Sequence, residues 1–111
     1  MYLYVQLWKP RPAWFSLSKG EREEVISRLG PELQDLTNEG AVLVGSGECD
    51  DDTQSRSEGQ VFAVWKLPSK AFAKTFERVF DEADWNLYFE QFNCRGEMQD
   101  RDQVLSKLCN G

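Results

Sequence analysis

Two short segments, residues 2–9 and 91–97, carry at every second position the side chains best suited to hold a small molecule. These are Tyr4, Gln6 and Trp8 in the first segment and Asn93 and Arg95 in the second. A guanidinium grips a carboxylate or phosphate through two parallel hydrogen bonds, amides bind carbonyls and hydroxyls, and rings supply apolar walls. The plainer alternative pairs Arg95 with an acid such as Glu90 or Glu97 and assigns the rings to an interface between copies of the chain. No histidine occurs among the 111 residues. Its absence removes Ser-His-Asp and Cys-His nucleophilic machinery, proximal-histidine haem ligation and the common imidazole metal ligands. Chemistry is left to carboxylates, Arg, Lys, Tyr, Cys and backbone amides.

Other chemistry-bearing residues point to plainer roles. Asp50, Asp51 and Asp52 lack the alternating ligand positions, the glycine and the closing glutamate of an EF-hand loop, so they read as a solvated acidic loop. Cys49, Cys94 and Cys109 are odd in number and widely spaced, which fits free thiols in a reducing compartment better than a disulfide framework or a zinc site. Neither a metal nor a cofactor is expected. Trp85, Tyr88 and Phe89 stand where a helix ends, where large rings are more often core than lid. Thirteen basic against nineteen acidic residues give a net charge of -6, with no basic stripe, and argue against nucleic acid. No apolar run approaches the ~20 residues of a membrane span. Residues 1–9 lack the pattern of a secretory leader, so a cytoplasmic location is the expectation.

The elements that must position the candidate residues follow from periodicity. Residues 2–9 alternate, with Leu3, Val5 and Leu7 on one face and Tyr2, Tyr4, Gln6 and Trp8 on the other, a strand ended by Pro10 and Pro12. Ser18 and Glu21 form a capping-box pattern ahead of the stripe Val25, Ile26, Leu29, Leu33 and Leu36, which predicts a helix up to Gly40 with a kink or restart at Pro31. Residues 41–48 and 60–67 read as strands, separated by a long polar, acidic loop. Phe72, Phe76, Val79, Phe80 and Ala83 make one apolar stripe behind the N-cap Ser69, a second helix. An aromatic turn follows at residues 85–89, then a strand over 91–97. Asp100 and Gln103 open a short C-terminal helix, which we expect to pack over a sheet edge or a partner subunit.

The order β-α-β-β-α-β predicts one α+β domain over residues 1–111. It is a ferredoxin-like, four-stranded antiparallel sheet with two helices on one face and a helical tail at 98–111. Strands one and three are expected in the centre, with strand four beside strand one. Taking Leu3, Val5 and Leu7 as the helix-facing set sends Tyr4, Gln6 and Trp8 to the open face. Phe92 and Cys94 then meet the helices, and Gln91, Asn93 and Arg95 join the open face. Strand three is ambiguous, with Trp65 inward the preferred choice. So aromatic a face needs a cover, and a second copy of the chain would supply it.

The element order and chain length, with the segments YLYVQLWKP, VFAVWKLPS and WNLYFEQFNCRGE, resemble the dimeric α/β-barrel superfamily, and within it an uncharacterised bacterial branch. The resemblance covers residues 2 to 97. It implies a homodimer formed by two sheets face to face, in a superfamily that includes cofactor-free monooxygenases, isomerases and haem-handling members. Without histidine, haem chemistry that uses a His ligand does not carry over, and no catalytic residue transfers by motif. The expectation is a homodimer with a cleft between sheet and helices for a small anionic or aromatic molecule, with Tyr4, Gln6, Trp8, Asn93 and Arg95 as its ligand-binding residues. Cofactor-independent oxygenation or isomerisation would suit such a site. The alternative is a non-catalytic protein-interaction module.

Overall fold

A computed structural model describes residues 1–111. In chain order the elements are β1 (Tyr2–Pro10), α1 (Pro12–Phe15), α2 (Lys19–Asn38), β2 (Val42–Glu48), β3 (Val61–Leu67), α3 (Lys70–Glu82), α4 (Trp85–Tyr88), β4 (Phe89–Glu97) and α5 (Arg101–Asn110). The strands make one antiparallel sheet in the order β2-β3-β1-β4, so β1 and β3 are central and β4 lies beside β1. This is an α+β arrangement consistent with a ferredoxin-like fold.

Local signals account for the helices. Ser18 Oγ accepts from the Glu21 amide while the Glu21 carboxylate accepts from the Ser18 amide, a closed capping box at the start of α2. The expected restart at Pro31 does not occur: α2 runs as one helix of 20 residues with Pro31 inside it. It ends at Asn38 with Glu39 as its C-cap, followed by Gly40, whose φ of +126° is open to glycine and whose added Cβ would lie 3.0 Å from Pro68 Cγ. Ser69 caps α3 through the Phe72 amide. The turn into α4 is made by Asp84 in the left-handed region at φ +58°, so the aromatic stretch is a short helix and not an irregular turn.

The sheet is turned over relative to the sequence expectation. Tyr4 and Gln6 are wholly buried beneath the helices, and Leu3, Val5 and Leu7 lie on the uncovered side. Register carries the parity across: Val5 pairs with Val64 and Cys94, and Leu7 with Phe62 and Phe92, so these side chains share the open face. Gln91, Asn93 and Arg95 therefore point to the helices, with Tyr4, Gln6 and Trp8. Trp65 does pack inward, as preferred from the sequence. Space explains the reversal. The underside of α3 presents Ala73 and Phe76, and beside the small Ala73 there is room for rings: Tyr4 packs on Phe76 at 5.3 Å between centroids and Trp65 at 5.1 Å. The flat aliphatic residues of β1 are left for the face with no helix above it. At the C-terminus, α5 buries none of its residues in this chain, and Val104, Leu105 and Leu108 are exposed, so the expected packing over the sheet edge is not made.

Candidate functional site

Between α2 and the sheet lies a cavity of about 380 Å³. Gln6, Trp8 and Pro10 of β1 form its floor with Val61 and Trp65 of β3. Ile26, Leu29, Gly30 and Leu33 of α2 form the roof, and Phe80, Trp85 and Phe89 close one end. The floor follows from period-2 alternation, which places Gln6 and Trp8 on one face, and the roof from the helical spacing of Ile26, Leu29, Gly30 and Leu33. The end wall is a stack of rings: Trp85 lies against Phe89 at 4.4 Å, Phe80 at 5.8 Å and Trp8 at 6.1 Å. No lining side chain is ionisable.

The side-chain polar atoms of the lining residues are almost all donors. Trp65 Nε1 donates to Gln6 Oε1 at 2.9 Å. An indole nitrogen only donates, so the Gln6 amide must turn its oxygen to Trp65 and its nitrogen away. That nitrogen, Gln6 Nε2, is buried without a partner, and so are Trp8 Nε1 and Trp85 Nε1. Unmatched buried donors carry a desolvation cost of about 1–3 kcal/mol each. None of the three opens onto the cavity, whose exposed surface is almost wholly apolar; they are sealed among the surrounding rings.

The remaining candidates lie apart from this cavity. Tyr4 and Asn93 border a smaller polar niche of about 160 Å³ with Glu77, Phe80, Asp81, Asn86 and Gln91. Phe80 is the partition between the two spaces. Asn93 accepts from Gln91 Nε2 at 2.8 Å, and Asp81 from Asn86 Nδ2 at 3.0 Å. Burial, reinforced by the Glu77 carboxylate, pushes the Tyr4 hydroxyl well above its ordinary range, so it stays protonated. Arg95 donates to Glu77 on α3 and not to Glu90 or Glu97. Its guanidinium is held by that carboxylate and does not line the apolar cavity.

Of the five residues singled out from the sequence, the structure brings Gln6 and Trp8 together in the cavity and places Tyr4 and Asn93 in the niche. Arg95 is in an ion pair. Trp65, Trp85, Phe80 and Phe89 complete the site and were legible only as core rings. What could have pointed to them is the parity of Gln6, a lone amide between two large rings on one strand face. The three cysteines are unpaired, and no group of three or more Cys, Asp or Glu side chains is gathered to hold a metal. No helix is long and apolar enough to cross a membrane.

The chain belongs to a family of unknown function, DUF6616, whose model matches residues 1–111. No curated protein matches it. Among solved structures it is similar to a candidate chlorite dismutase, with a TM-score of 0.64 and 13% identity over 89% of this chain and 45% of that one. It is also similar to a VAO-type flavoprotein from Myceliophthora thermophila C1, with a TM-score of 0.56 and 15% identity over 93% of this chain and 19% of that one. The chain thus spans less than half of the first structure and about a fifth of the second. At these identities the likeness is one of fold.

Proposed function

We propose that this member of a family of unknown function is a cytoplasmic homodimer that binds a small aromatic molecule between its long helix and its sheet. The observation that carries the reading is the ring-walled cavity of about 380 Å³ between α2 and the sheet. Its size and apolar, aromatic lining are usual marks of a small-molecule site. Of the two ligand types expected from the sequence, the aromatic one fits. An anion would enter a wall without a cation, at a steep cost in lost hydration.

The wall also bears on chemistry. A proton-transfer isomerisation would need a side chain to take or give the proton, and the lining has none, so the reading is of binding first. Dimerisation has its own support. Leu3, Val5, Leu7, Phe62, Val64 and Phe92 make an apolar sheet face with no helix over it, and a second copy would cover it with the same residues. Three unpaired cysteines fit a reducing compartment. Native mass spectrometry of gently purified protein tests both parts. A dimer retaining a small organic mass, lost on unfolding, supports them, and a bare monomer contradicts them.

A second reading has one observation behind it, the exposed stripe Val104, Leu105 and Leu108 on α5, which suits a protein partner. A defined partner that binds stoichiometrically and is lost on deleting residues 98–111, with no small molecule retained, would favour it.

A further inference from the structure

We infer that α5 is an arm that docks on a second copy of the chain, laying Val104, Leu105 and Leu108 in a groove on that copy's open sheet face. The inference rests on the homodimer reading above and adds the contact that completes it. The helix stands off its own domain. It buries no residue there, and the radius of gyration is 15.9 Å, where a compact chain of this length has about 13 Å. Its direction is fixed at the root: the Met98 amide donates to the Met1 carbonyl, which prolongs the pairing of β4 with β1, and Asp100 and Gln103 then close a capping box. An isolated helix needs about 12–15 residues to persist in water, and α5 has 10. A surface must therefore hold it, and its own domain does not.

The receiving surface lies on the open face. Leu3 and Val5 of β1 line a groove of about 340 Å³ with Cys94, Gly96 and Met98. Gly96 is the register partner of Leu3, so a side chain at 96 would point into this groove, and an added Cβ meets no atom within 4 Å. On the arm, Val104, Leu105 and Leu108 are exposed together on one side of the helix, with Gln103, Ser106 and Asn110 opposite. Area favours a second copy as the occupant. Four strands of about seven residues present roughly 450 Å² of projected face, whereas a stable interface takes about 800 Å² from each partner. A dimer sealed by the sheets alone is undersized, and the arms supply further apolar area. Two-fold symmetry makes the exchange reciprocal, each copy giving one arm and one groove.

The test is sedimentation velocity of the full chain and two variants. Leu105→Asp disables the arm and Gly96→Leu fills the groove, and both positions are open within the chain itself, so the monomer stays folded. Each variant should raise the dimer dissociation constant about ten-fold or more. Mixed one to one, the two should pair more tightly than either does alone, because the Gly96→Leu copy keeps its arm and the Leu105→Asp copy keeps its groove. Variants that dimerise like the parent would overturn the arm and leave the dimer standing. Weakened variants that gain nothing on mixing would overturn it too, since the exchange between copies would be absent. A different protein that binds the parent stoichiometrically and is lost in Leu105→Asp, with the dimer unchanged, would assign the stripe to that protein instead. A parent that stays monomeric at every concentration would bring down the dimer reading and the arm together.

Discussion

Gln6 is the one buried polar side chain beneath the helices. On a central strand it accepts from Trp65 through its oxygen, and its nitrogen is sealed in without a partner. Arg95, by contrast, is committed to Glu77. Arg95→Ala should therefore leave arene affinity within about two-fold and change urea unfolding little, as expected for an ion pair open to solvent screening. A ten-fold loss of affinity would return Arg95 to the site. Tyr4 makes a pH prediction. Its folded-state pKa is raised above the unfolded value, so its contribution is fully present below about pH 10 and is lost as pH rises beyond that, where the unfolded chain gives up the proton first. Stability measured from pH 9 to 11 should fall less steeply in Tyr4→Phe than in the parent. These roles were only half legible in the sequence. Residue types suited to binding were evident at Gln6 and Trp8, but pairing between Arg95 and Glu77 joins elements 18 positions apart, and only the fold brings them together.

Among the elements, helices were the readable ones because their ends carry local chemistry. Ser18 with Glu21, Ser69, and Asp100 with Gln103 each make the cap that their spacing implies. Ser18→Ala should destabilise the domain by about 1 kcal/mol in thermal or urea unfolding, and no change would mean that α2 is held by its packing alone. The facing of the strands was harder. In β1 both alternating sets are largely apolar, so period 2 establishes a strand without saying which side is covered. The answer lies in volume, since the space beside Ala73 and under α2 admits rings and an amide. At Pro31 the helix continues without a restart. Proline removes one helical hydrogen bond, but α2 has buried Leu29 and Leu36 on either side to carry it through.

At the scale of the whole molecule, the domain has two apolar features it does not cover, the open sheet face and the stripe on α5. In the proposed dimer a second copy would cover Leu3, Val5 and Leu7 on the open face, while Tyr4, Gln6 and Trp8 face the helices. Val5→Asp puts a carboxylate in the middle of that face and, if two copies pair through it, should raise the dimer dissociation constant by about 100-fold or more while leaving the monomer folded. Sedimentation velocity reads this directly, and an unchanged dimer would place the interface elsewhere. Topology was legible from the element order. The cavity was not, because an empty volume depends on how far a helix stands from a sheet and leaves no trace in residue spacing.

The proposed binding function depends on an aromatic molecule entering the ring-walled space between α2 and the sheet. The most direct measurement is a nitrogen-15 correlation spectrum of the four tryptophan indoles recorded during titration with a bicyclic arene such as 2-ethylnaphthalene. The indole signals of Trp8, Trp65 and Trp85, whose rings line the cavity, should shift through the ring current of the bound arene, while Trp14, which does not line it, stays in place. Signals of the three that do not move at saturating arene, or that move no more than Trp14, would contradict the site.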